Sequence, residues 1–139
     1  MPPGTSRYWP LDDLRLSVAD LSLRPTRDED LDLLADLLPL DMEMNPHTPR
    51  PFGGAEWLAR GAALRQEHWR SLGSWTPDSW DLGLVVRRGD RLVGVQGLEG
   101  EHFGTLRTVE TASWLGSEFR GLGLGKLMRS AVERGVPVV

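Results

Sequence analysis

The chain reads as an α/β protein of the α+β kind, a central, mostly antiparallel sheet with flanking helices. Three observations predict that class. "LGLVVRRGDRLVGVQGL" sets two β-rich runs around Arg88-Gly89-Asp90, the signature of a hairpin. Leu124, Leu127, Met128, Ala131 and Val132 recur at i, i+3, i+4, i+7 and i+8, the pattern of an amphipathic helix. Between them, "TLRTVETASWLG" adds a third strand of the same antiparallel series.

The elements follow in order. Residues 1–10, with three prolines and a glycine, form a loose lead-in pinned by Tyr8 and Trp9. Leu14-Leu16-Val18 and Leu21-Leu23 alternate around a turn near Asp20. Thr26 with Glu29 is a capping box, supported by Asp28 and Asp30 at the positive end of a helix. Leu31, Leu34 and Leu38 make the buried stripe of that helix, and Pro39 stops it. "LDMEMNPHTPRPFGG" reads as a loop, with "PRPFGG" as a lid. A second helix covers 55–72, with Leu58, Ala62, Trp69 and Leu72 as its apolar face. "GSWTPDSWD" breaks it before the hairpin. In the third strand, Glu110, Ala112 and Trp114 share one face; Val109, Thr111, Ser113 and Leu115 share the other. Gly135 and Pro137 close the last helix, and "VPVV" is a strand stub.

Composition bounds the function. A length of 139 residues, 40% of them hydrophobic and 26% charged, fits one folded domain spanning 1–139. The net charge of −4 argues against nucleic acid as a partner. With no cysteine, thiol chemistry and thiolate metal sites are excluded. His47, His68 and His102 lack ligand spacing, so no metal is expected. No apolar run nears the length of a membrane span and no signal-peptide core is evident, which makes the cytoplasm the expected compartment and leaves the membrane out as a partner.

"SEFRGLGLGK", residues 117–126, holds the chemistry. A strand ending at Leu115, a glycine turn and a helix starting near Gly123 aim unpaired amides outward at the positive end of a helix dipole. Glycines let phosphates approach the backbone, and Arg120 and Lys126 add charge, so the segment is an anion site. The dinucleotide fingerprint fails here. Its third glycine falls on Lys126 or on Met128. The Walker pattern fails as well, because Leu127 follows Lys126 and Arg120 stands where its first glycine belongs. What remains is Arg-x-x-Gly-x-Gly, Arg120 to Gly125.

That string at a strand-to-helix junction resembles the loop of the GNAT family of acyl-CoA N-acyltransferases. "VETASWLGSEFRGLGLGK" is most similar to the branch that includes ribosomal-protein N-terminal acetyltransferases, keeping Glu110, Trp114 and Leu115 and carrying Ala112 where glycine is common. The resemblance runs from about Leu14 to Ala131, with residues 109–128 the specific part. It implies the N-terminal part of an acyl-CoA N-acyltransferase fold, with acetyl-CoA as co-substrate. The implied cofactor-binding set is Trp114, Leu115, Arg120, Gly121, Leu122, Gly123, Leu124, Gly125 and Lys126. The amides of Leu122 to Lys126 would face the pyrophosphate, and the backbone of Trp114 and Leu115 would pair with the pantetheine arm as with an added strand. Arg120 either contacts phosphate or braces the loop.

The implied reaction moves an acetyl group directly from the thioester to a primary amine. Glu110 is the candidate base, acting through water; the alternative is a solvated carboxylate or one paired with Arg107. A backbone amide around Trp114 to Gly116 would polarise the carbonyl. The acceptor pocket would be built from the loop after the first helix and from the second helix, with Asp41, Glu43 and Asn45 as candidates for attracting the amine and His47 or His68 for positioning it. Trp57, Trp69, Trp75 and Trp80 read as core or pocket wall. The family continues with another strand and helix after the glycine helix, so the domain is expected to be incomplete on its C-terminal side; the helix that supplies a tyrosine in the family has no counterpart, Tyr8 being the one tyrosine. Two consequences are expected: an exposed strand edge at 107–115 and a last helix whose apolar face is only partly covered, both favouring a homodimer or strand-exchanged oligomer. The alternative to an enzyme is a non-catalytic acyl-CoA-binding or dimerisation remnant of the same fold.

Overall fold

The structure is a computed structural model that describes residues 7–42, 52–102 and 109–135. Five strands, β1 (Leu16–Val18), β2 (Leu21–Pro25), β3 (Trp80–Arg88), β4 (Arg91–Gly100) and β5 (Glu110–Leu115), form one sheet in the order β1-β2-β3-β4-β5. Every neighbouring pair is antiparallel. Helices α1 (Leu31–Leu37) and α2 (Glu56–Gly73) separate β2 from β3, and α3 (Leu124–Gly135) follows β5. The expected hairpin turns at Gly89-Asp90, where Gly89 adopts a φ of +62° that favours glycine.

The entry to α1 differs from the expected capping box by one residue. The Thr26 hydroxyl and amide both donate to the Gly83 carbonyl, tying β2 to β3, so Thr26 does not cap the helix. The reciprocal bond is made by Asp30, whose carboxylate accepts the Arg27 N–H at 2.8 Å. Asp30 is 1% exposed and is held by the Arg24 fork through two 2.8 Å bonds, with Arg87 at 3.4 Å. Burial pushes its carboxyl up, and the Arg24 and Arg27 hydrogen bonds and the charges of Arg24 and Arg87 outweigh that, leaving it below the ordinary 3.8. Leu31 and Leu34 are buried as expected and Leu38 half-buried, and the helix ends ahead of Pro39.

The apolar face expected on α2 is buried only in part, Leu58 and Ala62 being half-buried. Trp57, Trp69 and Leu72 are exposed, and Ala59 is its one fully buried side chain. Small residues make this contact: a Cβ on Gly61 would sit 3.5 Å from the Ala35 Cβ, so α1 and α2 meet through residues that let their backbones approach. Trp69 instead donates to Asp28 at 3.2 Å, with the Arg65 guanidinium 5.7 Å from its ring. Trp9 packs edge-on against Trp75, which stacks on Trp80, so Trp9 pins the lead-in while Tyr8 stays exposed; Pro10–Asp13 form a 3-10 turn within it.

The main core fills the space between one sheet face and α3. Leu21, Leu23, Leu84, Val86, Val93 and Leu98 meet Phe119, Leu124, Met128, Ala131 and Val132. The apolar stripe of α3 is therefore covered, contrary to expectation, because the sheet itself is wide enough to receive it. A bulge opposite Val86/Arg87 leaves Val93 without a partner in the ladder. Next to it, a Cβ on Gly94 would lie 2.1 Å from the Trp114 carbonyl oxygen, so only glycine lets β4 and β5 approach there.

The other sheet face is organised by register into three rows across β3, β4 and β5: Val85–Val95–Trp114, Gly83–Gly97–Ala112 and Asp81–Glu99–Glu110. The middle row carries at most a methyl group. It leaves a trough between an apolar row and an acidic one.

Candidate active site

Where β5 ends, Gly116 donates its N–H to Val93 at 2.9 Å, extending the β4–β5 ladder by one pair. In an antiparallel ladder hydrogen-bonded and non-hydrogen-bonded pairs alternate. The Trp114 amide therefore faces β4, and the backbone groups of Thr111, Ser113 and Leu115 face outward. Among the described residues β5 pairs with β4 alone, so that row is an open edge. Of the two residues expected to offer their backbone there, Leu115 does and Trp114 does not. Gly116 is likewise committed to Val93, so within the Trp114 to Gly116 range expected to polarise the carbonyl the outward amide is that of Leu115.

Ser117–Phe119 form a 3-10 turn, and Phe119 is buried in the core, anchoring the start of the glycine loop. Gly121 and Gly123 both take a φ of +77°, which swings the chain into α3. The first bond into that helix is donated by Leu127 to Gly123. Among the described residues, the amides of 121–126 donate to no backbone carbonyl. A Cβ at Gly121, Gly123 or Gly125 would meet no protein atom within 4 Å, so the loop borders open space. Gly125 is helical, and neither its φ nor its surroundings require glycine. Amides that donate to no backbone carbonyl, in a glycine loop bordering open space at the positive end of a twelve-residue helix, fit a pyrophosphate.

Arg120 resolves toward bracing. Its two terminal nitrogens grip Asp41 at 2.9 and 3.1 Å. That bond holds the Asp41 carboxyl below its ordinary range. The pair closes one side of a 360 Å³ cavity bordered also by Met42, Ser113, Trp114 and Leu115. Lys126 is exposed on the first turn of α3. Glu43, Asn45 and His47 lie outside the described residues, as do Arg107, the first half of the "PRPFGG" stretch and "VPVV".

Glu110 stands at the far end of β5, five residues or roughly 16 Å from Leu115. It borders a 320 Å³ polar cavity with Arg70, Asp81, Glu99 and His102. The hydrogen bond that protonated Glu99 donates to Asp81, together with the charge of Asp81, pushes the Glu99 carboxyl up, with Glu110 adding to the effect. Sequence reading missed that Asp81 and Glu99 pair, because the bulge at Val93 sets them eight and nine residues from the Gly89-Asp90 turn and shifts the register by one.

A third cavity, 460 Å³, lies between the α1–α2 layer and the trough, and both Asp81 and Trp114 line it. His68 borders it from α2, 3.7 Å from Asp28, and burial depresses its pKa below 6.5 against the pull of Asp28 and Asp30. Among the described residues no cluster is arranged to hold a metal ion, and no helix is long and apolar enough to cross a membrane.

No protein-family model matches the chain. Solved structures do. RimL, a ribosomal L7/L12 alpha-N-protein acetyltransferase in complex with coenzyme A, superposes with a TM-score of 0.63 at 12% identity, over 87% of this chain and 66% of that one. Mycobacterium smegmatis RimJ in complex with CoA-disulfide gives 0.57 at 19% identity, over 86% and 62%. The apo form of RimL gives 0.55 at 14% identity, over 88% and 66%. The chain thus spans about two thirds of the length of the structures it matches. Five antiparallel strands, the helix pair inserted after the second and the glycine loop leading into α3 are the fold of the GNAT acetyltransferases.

Proposed function

We propose that this chain binds acetyl-CoA and transfers its acetyl group to a primary amine. The observation that carries the reading is the run of amides at 121–126 that, among the described residues, donate to no backbone carbonyl, beside glycines whose Cβ positions border open space, in a fold shared with coenzyme A-bound acetyltransferases. Acetyl-CoA supplies the activated acyl group as its thioester. The amides of Leu122 to Lys126, with the Gly121 turn, would bind the pyrophosphate; Lys126 adds charge.

The outward N–H and C=O groups of Leu115, Ser113 and Thr111 form the edge on which an amide-bearing arm lies as an added strand. An arm laid back from the loop runs along β5 toward Glu110. That direction accounts for a base placed so far from the phosphate cradle. Glu110 takes one proton from the ammonium through water, the amine nitrogen bonds to the acyl carbon, and as the carbon–sulfur bond breaks the second proton leaves the nitrogen for the departing sulfur, giving amide and thiol. The outward N–H groups of β5 are the donors available to the carbonyl oxygen as charge develops on it.

Thiol release on mixing with acetyl-CoA and a panel of amines tests the reading. Turnover that falls at least about a hundredfold in Glu110→Gln supports the base role. An unchanged rate in that variant removes Glu110 from the mechanism.

A further inference from the structure

We infer that the 460 Å³ cavity under α2 is the acceptor pocket, and that it takes a primary amine carried on an apolar body such as an arylalkyl group. The acceptor role rests on the acetyltransferase reading; the cavity and its ligand class rest on its walls. Its volume suits one small molecule. Gly83, from the sheet row that carries at most a methyl group, lines its floor between Asp81 and Val95. Trp9, Leu31, Leu34, Leu64, Val95 and Trp114 give it an apolar lining, which a linear polyamine would leave in contact with charge.

One side of the cavity is acidic, formed by Glu67 and Asp81. Arg70 is the cation that faces them. It pairs with Glu67, lies 3.7 Å from Asp81 and also feels Glu99, so one guanidinium answers three carboxylates. His68 does not supply the missing charge, because burial keeps its ring neutral. Glu99 retains its proton more readily because it hydrogen-bonds to Asp81 and feels its charge. An ammonium group balances this wall while its apolar body fills the lining. Trp114 connects the pocket to chemistry: its side chain lines the cavity, and its chain neighbours Ser113 and Leu115 form the outward edge. The acceptor site thus keeps the second helix expected for it and adds the sheet face.

The full chain is titrated calorimetrically with phenethylamine, 2-phenylethanol, putrescine and, separately, acetyl-CoA. Phenethylamine is expected to bind at least about tenfold more tightly than the alcohol or putrescine, because the alcohol lacks the charge and putrescine the apolar body. Asp81→Asn should reduce the preference for amine over alcohol. Leu72→Trp, at a cavity-lining position 43% exposed on α2, should weaken the amine and leave acetyl-CoA affinity unchanged. Equal binding of amine and alcohol, or an amine affinity unmoved in Leu72→Trp, overturns the proposal. Acetyl-CoA binding with no amine binding overturns it alone. Amine binding with no acetyl-CoA binding supports the pocket and overturns the acetyltransferase reading.

Discussion

Arg120 and Asp41 meet as an exposed bidentate pair directly beside the open edge of β5. A pyrophosphate in the glycine loop competes with Asp41 for this guanidinium, since both are bidentate oxygen acceptors. Asp41→Asn should therefore tighten acetyl-CoA binding by about threefold at low salt, the gain shrinking as ionic strength rises. Calorimetry at two salt concentrations checks it. A second residue-scale test is Asp30. Its carboxyl is lowered in the folded state, so the stability it contributes is present above the ordinary value of 3.8 and is lost as pH falls through the folded-state pKa. Asp30→Asn should cost about 3 kcal/mol near neutral pH, because it leaves the Arg24 fork facing an uncharged partner. The gap from wild type should narrow as the pH of urea melts drops from about 5 to 3.

At the scale of elements, Gly94 decides how β4 and β5 meet. A Cβ there lies 2.1 Å from the Trp114 carbonyl oxygen and 3.0 Å from the Leu115 Cα, both backbone atoms that move only with the strand. Gly94→Ala should destabilise the chain by about 2 kcal/mol or more and weaken acetyl-CoA binding with it, since the outward groups of β5 shift. Urea denaturation alongside calorimetry checks both. What could be read in advance at this scale follows from local periodicity. The stripe of α3, the hairpin at Gly89 and the strand into the glycine loop are each set by residues close in sequence, and each stands as expected. The cap of α1 was misread because Thr26 finds its partner in Gly83, far along the chain, and the shorter-range choice, Asp30, is fixed by Arg24 and Arg87 from two strands. The face of α2 was read only in part because its contact with α1 is made by Gly61 and Ala59, small residues that periodicity of large apolar side chains overlooks.

For the whole molecule, the same open edge of β5 serves two ends. It can receive an extended ligand or a strand of a second copy. Self-association is expected at micromolar concentration, giving a sedimentation mass near twice 15.5 kDa, and saturating acetyl-CoA should shift it toward monomer because both occupy one edge. A monomer mass without ligand would count against it. The phosphate cradle was legible in the sequence because it is continuous, Arg120 to Lys126, whereas the cavity under α2 is assembled from α1, α2 and four strands and left no local pattern. The cradle also separates binding from folding. Gly125 has an ordinary helical backbone and open space before it, so Gly125→Val should leave stability within about 0.5 kcal/mol. Calorimetric titration of acetyl-CoA into wild type and Gly125→Val is the most direct measurement: binding in wild type with at least about tenfold loss in a variant of unchanged melting temperature is expected, because the new side chain occupies the space of the phosphates. No heat with wild type, or equal affinities in the two proteins, would contradict it.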